Sequence, residues 1–315
     1  MSDVLVPSPN VDLVGPTPTQ LSLPAGEAPL RRFVADFAGS RLAVASLTLL
    51  LLIVVGALLA PLISPQNPYD LNQIDIMDSQ LPPGSPAAAG GSYLLGTDAQ
   101  GRDMLSAILY GLRISLLVSV ASTALAFAIG VTLGVAAGYF GGRLDAFLMR
   151  VVDIQLSFPA ILIALVLLAV IGRGVDKVIL ALVIVQWAHY ARTVRGSALV
   201  ERQKEYVEAA RGLALGHGRI LLRHVLPNCL APVVVVGTVQ VASAITLEAT
   251  LSFLGVGVPV TEPSLGQLVA NGFEFMLSGE YWISFFPGLA LLVAVANINL
   301  VADRLRQVLN PRLER

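Results

Sequence analysis

Residues 42–63 read LAVASLTLLLLIVVGALLAPLI, without an ionisable side chain from end to end. A helix that crosses the hydrocarbon of a bilayer needs about 20 such residues, so this stretch reads as a transmembrane span. The whole chain of 315 residues agrees, with only 13% charged side chains, where soluble domains carry about 25%. Counting Gly but not Tyr as apolar, the apolar share is about 62%, against about 45–50% for soluble domains. A soluble fold of this length cannot hide that much apolar surface. A formal net charge of −1 removes a nucleic-acid binder that relies on a basic field. The single cysteine, Cys229, removes a disulfide framework and any cysteine-built metal cluster.

Five further apolar runs follow. Residues 114–140 are rich in Gly, with Gly130, Gly134 and Gly138 at four-residue spacing, the small-xxx-small pattern that lets helices approach closely in lipid. Residues 154–172 carry Pro159 near their start, residues 178–191 are short and close on His189 and Arg192, residues 229–254 include Glu248, and residues 281–302 are charge-free. The expected fold is an all-α membrane protein with six transmembrane helices.

Lys and Arg set the orientation. Arg31, Arg32, Arg41, Arg143, Arg150, Arg192, Arg195, Arg202, Lys204, Arg211, Arg219, Arg223, Arg304, Arg306, Arg312 and Arg315 fall on one side. Only Arg102, Arg113, Arg173 and Lys177 fall on the other. Both termini are therefore expected in the cytoplasm, with a polar segment at 64–111 outside and a long basic loop at 192–228 inside. Residues 1–30 lack the basic start and apolar core of a signal peptide. Pro7, Pro9, Pro16, Pro18, Pro24 and Pro29 break any helix there, so the segment reads as a disordered cytoplasmic tail ahead of a membrane domain at 31–315.

Catalytic and nucleotide-binding patterns are missing from the sequence. The two lysines, Lys177 and Lys204, stand in no phosphate-binding Gly-rich pattern, the histidines His189, His217 and His224 have no metal-ligand spacing, and no serine sits in Gly-x-Ser-x-Gly. The basic loop is more informative. Residues 203–215 suit a helix, with Val207, Ala210 and Ala214 on one face. Gly216 and Gly218 supply a break, and Pro227 ends a second short helix. On physical grounds this helix either inserts into a groove on another protein or lies on lipid headgroups through its arginines.

Glu208-Ala209-Ala210, followed by Ile220 and then Leu226-Pro227, resembles the EAA loop of ABC-importer permeases. The resemblance extends to LGTDAQGRD at 95–103, YGLR at 110–113, DIQLSFP at 153–159, LSFLG at 251–255 and FPGL at 286–289. Together these are similar to the dipeptide, oligopeptide and nickel permeases, and most of all to the dipeptide "C" type. The resemblance implies a type I ABC importer permease fold in the bacterial inner membrane. It also implies a second homologous permease subunit, two ATP-binding subunits carrying ATP and Mg, an external substrate-binding protein, and no cofactor or catalytic residue in this chain. Coupling to the ATPase subunits would fall to Glu208, Ala209, Ala210, Gly212, Ala214, Gly216, Ile220, Leu226 and Pro227. The family usually has Gly where this chain has Ala214, so Gly212 or Gly216 is expected to keep the turn. Dipeptides lead as cargo, ahead of oligopeptides, glutathione-like peptides and nickel.

Other residues carry two readings each. Thr97 with Gln100 has capping-box spacing and reads as a helix start; alternatively Asp98, Arg102 and Asp103 contact the binding protein or the partner permease. Pro159 reads as the bend of the third helix. Glu248, the single acid deep within a span, either lines or gates the pathway or makes a structural hydrogen bond to a neighbouring helix. Asn297 and Asn299 read as interhelical glue. Two competing classes are a secondary transporter with Glu248 as its proton site, and an intramembrane enzyme, for which no catalytic pair is present.

Overall fold

The computed structural model describes residues 29–309 except 71, 88, 89 and 260. Of the tail expected at 1–30, residues 1–28 lie outside the described residues, as do Arg312 and Arg315, whereas Pro29 and Leu30 open a helix, Pro29 standing at its first position where a missing amide is tolerated. Helix α1 (Pro29–Ala38) leads into α2 (Arg41–Leu58), capped by the Ser40 side chain, and the short α3 (Ala60–Ile63). An irregular segment follows, with one small antiparallel pairing of Ser85–Pro86 on Ser92–Tyr93. The remaining helices are α4 (Met104–Phe140), α5 (Gly142–Leu156), α6 (Ala160–Ile171), α7 (Val175–Glu201), α8 (Glu205–Gly212), α9 (His217–Ile220), α10 (Leu226–Phe253), α11 (Leu265–Phe273) and α12 (Trp282–Leu309).

Helices occupy all six apolar runs, but their crossing capacity differs. Four segments are long and apolar enough to span, namely α2, α4, the continuous stretch His217–Phe253 and α12. Helices α5 and α6 meet at 91° and make a fifth if they count as one broken span. The break falls at Pro159, where the ring disfavours helical backbone in the preceding residue. At 12 residues, α6 alone rises about 18 Å, short of the hydrocarbon thickness. Helix α7 is long enough, but Asp176, Lys177, His189, Arg192 and Arg195 dilute its apolar character. It runs ten residues past the expected end at 191, so the front of the basic loop is helical.

The Gly130, Gly134 and Gly138 row lies where the sequence places it, at the contact between α4 and α7, which is the most extensive helix pair in the chain. A Cβ at Gly130 would stand 2.6 Å from Tyr190 Cβ, at Gly134 2.8 Å from Ala191 Cα, and at Gly138 2.7 Å from Ala198 Cβ. Only hydrogen fits there, so the two backbones meet.

The outer segment corrects the capping-box reading. Helix α4 begins at Met104, and its cap is Asp103, whose carboxylate accepts from the Ser106 amide at 2.8 Å and the Ser106 hydroxyl at 2.6 Å. Thr97 is occupied elsewhere: its hydroxyl donates to the Asp78 carbonyl and accepts from the Leu81 amide. Asp98, Arg102 and Asp103 are each 2% exposed. Their side chains point into the turn rather than outward, with Arg102 Nε donating to Asp98 Oδ2 at 2.7 Å. Gly101 turns at φ +79°, and a Cβ there would lie 2.9 Å from the Asp75 carbonyl carbon.

A side-chain N-cap occurs at Ser264, where the hydroxyl accepts from the Gln267 amide at 3.2 Å and starts α11. This helix was not anticipated from its apolar pattern. Its Gly266 packs directly on the Ala249 backbone of α10 and its Gly272 on Ile283 and Ser284 of α12.

Candidate coupling site

Helix α8 carries the Glu208-Ala209-Ala210 motif and divides into two faces. Val207 and Ala210 are buried, whereas Glu205, Glu208, Ala209 and Gly212 are exposed. The buried face joins a core made by Ile220, Val225 and Cys229 from the far side of the loop with Tyr139, Val194 and Ala198 from the ends of α4 and α7. The motif thus presents its acid outward while Val207 and Ala210 face a core shared with α4, α7, α9 and α10. Around it lie exposed Arg211, Arg219 and Arg223, with Leu213 and Leu222 at 75% and 63% exposure.

The turn after α8 corrects the expectation for its glycines. Ala214 itself takes the left-handed conformation, at φ +55°, which an L-residue adopts only at a cost. Gly212 stays within α8, and Gly216 is extended at φ −61° and ψ 143° as the cap of α9. Neither neighbour relieves the position. Ala214 also leaves the helix before it can share the Val207 and Ala210 face.

Pro227 likewise does not end a helix. It sits in the first turn of α10, where a missing amide is tolerated. Ahead of it, residues Leu221–Val225 form a π turn in which the Leu226 amide reaches back to the Leu221 carbonyl. That wider turn joins α9 to α10 without a stop. Of the coupling candidates, Ile220 is fully buried, Leu226 half-buried, and Gly212, Ala214, Gly216 and Pro227 exposed.

Several residues at this site were not singled out from the sequence. Tyr206 donates to Glu201 Oε2 at 2.5 Å and accepts from Asn228 Nδ2 at 3.1 Å, while Asn228 also donates to the His224 carbonyl at 2.7 Å. Lys204 Nζ pairs with Glu201 Oε1 at 2.6 Å. One tyrosine therefore ties the end of α7 to the starts of α8 and α10. Burial opposes ionisation of Glu201, but Lys204 and the Tyr206 hydroxyl outweigh it and hold the carboxyl below its ordinary range. Burial and the hydrogen bond to Glu201 push the Tyr206 phenol up to about 12. On the other side, Tyr139 Oη lies 3.0 Å from His217 Nδ1, and the Arg211 guanidinium sits 5.5 Å over the Tyr139 ring. Only a lone Tyr next to the motif hinted at this in the sequence, because the partners are 5 to 78 residues away.

Glu248 lies within α10. It is fully buried, accepting from Ser115 Oγ of α4 at 2.7 Å and from Ser252 Oγ one turn along α10 at 2.9 Å, with Ser264 as a third hydroxyl partner. It joins α4, α10 and the cap of α11. Asn297 does not bridge helices; its amide donates to the Val293 carbonyl in its own helix at 2.7 Å.

Comparison with known proteins gives this arrangement a family. Residues 130–315, which contain α7, the α8 motif and α10, match the binding-protein-dependent transport system inner membrane component. The chain belongs to that family of permeases. Residues 28–83 match the N-terminal transmembrane domain of oligopeptide transport permease C. The di/tripeptide transport system permease protein DppC of Pseudomonas aeruginosa is 36% identical over 91% of this chain and 93% of its own. The dipeptide transport system permease protein DppC of Haemophilus influenzae is 35% identical over 92% and 97%. An inward-facing structure of the MetNI methionine ABC transporter superposes with a TM-score of 0.53 and 22% identity, covering 65% of this chain and 97% of that one. That likeness concerns the fold. The chain is thus an ABC-importer permease for peptides, a multi-pass membrane subunit related to the dipeptide permeases.

Proposed function

We propose that this permease carries dipeptides and couples their passage to ATP hydrolysis on separate subunits through α8. The observation that carries the reading is the two-faced helix: Val207 and Ala210 lie in a buried core shared with residues of α4, α7, α9 and α10, while Glu208 and Ala209 face outward. Such a helix fits a groove on a partner, and its arginine-flanked surface supplies the polar rim. Two ATP-binding subunits, with ATP and Mg held on them, would dock on this side. A second homologous permease would complete the path, and an external binding protein would deliver cargo. The dipeptide assignment is supported by the names of the two DppC relatives. Both termini and the α8 loop would then lie in the cytoplasm of a bacterial inner-membrane complex, the side favoured by the Lys and Arg distribution.

Energetically, nucleotide shifts the permease between states only by the difference in its affinity for them, so the α8 contact must differ between those states. Changing Glu208 to Lys inverts the outward charge without touching the buried face. The variant should insert and keep its fold, yet lose substrate-stimulated ATP hydrolysis and co-purify poorly with the ATPase subunits. Normal assembly with full stimulated turnover would remove α8 as the coupling element.

A further inference from the structure

A cavity of about 430 Å³ opens between α6, α7, α10 and α12. Its polar wall is made by Gln186 and His189 of α7, Gln240, Ser243 and Thr246 of α10, and Asn299 of α12. Gln186 and Gln240 stand near the middle of two long helices. The rest of the wall is aliphatic, and no Asp, Glu, Lys or Arg lines it among the described residues. Neutral carboxamides at this depth of an apolar bundle are costly unless hydrogen-bonded.

Two of these amides are not satisfied. Gln186 is 2% exposed and Gln240 8%, and the Nε2 of each has no hydrogen-bond partner. Gln186 Oε1 is already held by Thr123 Oγ1 at 3.2 Å, which fixes the amide group and leaves its nitrogen as the free donor. A buried donor without a protein partner costs free energy, which an acceptor brought to it removes. The wall also offers acceptors: the Thr246 hydroxyl donates back to the Ala242 carbonyl at 3.0 Å and keeps its lone pairs free for a donor.

Paired donors and acceptors without a formal charge match an amide group. We propose that this cavity is a transient subsite which hydrogen-bonds the backbone amide of a peptide during passage, with Gln186 and Gln240 as donors to its carbonyl oxygen. The assignment rests on the peptide-permease reading and adds to it the chemistry that is recognised. An uncharged wall holds the group common to every peptide and leaves side chains and termini unread, as a path serving many sequences requires. It also keeps binding weak enough for release.

The test uses the complete transporter in proteoliposomes with its binding protein and alanyl-alanine as cargo. In the double variant Q186M/Q240M, which keeps side-chain length and removes the amides, peptide transport should fall about tenfold for two lost hydrogen bonds. ATP hydrolysis stimulated by the loaded binding protein should stay within about twofold, because α8 is untouched. Wild-type transport in a variant of unchanged thermal midpoint overturns the subsite. A second measurement needs no variant: a diazirine-bearing dipeptide, photolysed during turnover of the unmodified complex, should label residues 186–189 or 240–246, and label confined to other segments overturns the subsite even if the double variant fails to assemble. Failure of the unmodified complex to move any dipeptide while it hydrolyses ATP refutes the peptide reading instead.

Discussion

The glycine seam between α4 and α7 offers a sharp mechanical test. A methyl added by Gly134→Ala would lie 2.8 Å from Ala191 Cα, where apolar carbon pairs rest at about 3.5–4.0 Å. The obstacle is backbone, which cannot rotate aside, so α4 and α7 must separate by about 0.7–1 Å. Gly130 and Gly138 sit on the same seam, and their contacts loosen with it. Overpacking of this kind costs about 1–3 kcal/mol, set against up to about 1 kcal/mol gained from replacing Gly in a helix. Gly196→Ala, on the same α7 with nothing within 4 Å of the added carbon, receives the gain without the overlap. The two changes are the same chemistry with opposite expected signs. Thermal unfolding of the purified complex should show a lowered midpoint for Gly134→Ala and an equal or raised one for Gly196→Ala. A Gly134→Ala midpoint at or above wild type would refute the idea that this seam has no room.

Further outcomes can be checked together. Ala214→Gly should stabilise the turn after α8 by up to about 1 kcal/mol, since Gly reaches φ +55° without the Cβ penalty; slower proteolysis at residues 213–216 is the readout. Asp98→Asn should destabilise the outer segment by about 3–5 kcal/mol, because Arg102 is left charged, buried and unpaired, and hydrogen exchange across 95–103 would report it. Glu201 is held below its ordinary value, so its contribution is complete above about pH 4.5 and is lost as pH falls through the lower folded value. Tyr206 is raised to about 12, so its contribution is complete below about pH 10 and is lost as pH rises through 12. Protection of residues 202–216 should therefore be flat from about pH 5 to 10 and decline on either side; a midpoint near pH 7 would contradict the network.

What was legible in the sequence is what lipid dictates. The apolar runs, the glycine row and the break at Pro159 each follow from a local rule, and each lies where that rule puts it. Polar residues were harder, since their roles depend on partners far along the chain. Thr97-x-x-Gln100 and Ser264-x-x-Gln267 share one spacing, yet only the second caps a helix. Thr97 is instead drawn into long-range bonds to Asp78 and Leu81. Asp98 and Arg102 resemble surface charges in sequence and close on each other in the interior. The family motif located α8, but not the residues that hold it, because Tyr206 meets Glu201 and Asn228, and Tyr139 meets His217, only after folding. The amides of Gln186 and Gln240 drew no attention, since a lone Gln in a helix carries no spacing signal.

The glycine seam and the buried face of α8 together constrain how a push at the proposed coupling surface would travel. Val207 and Ala210 share one buried core with Val194 and Ala198 of α7 and Tyr139 of α4. Those helices touch backbone to backbone at three levels, and packed interiors move between discrete arrangements rather than yielding gradually. A displacement of α8 would reach the α4 and α7 pair through that shared core. Tyr206 and Asn228 bind the same displacement to the start of α10. Gln186 lies further along α7 and Gln240 further along α10, on the two helices that the proposed coupling joint would move. A change in the angle between α7 and α10 would alter the separation of the two amide donors, and so the affinity of the cavity for a backbone carbonyl. Coupling of this kind needs no chain of side chains between α8 and the cavity. It needs two helices that share a joint at one end and a binding wall near their middle.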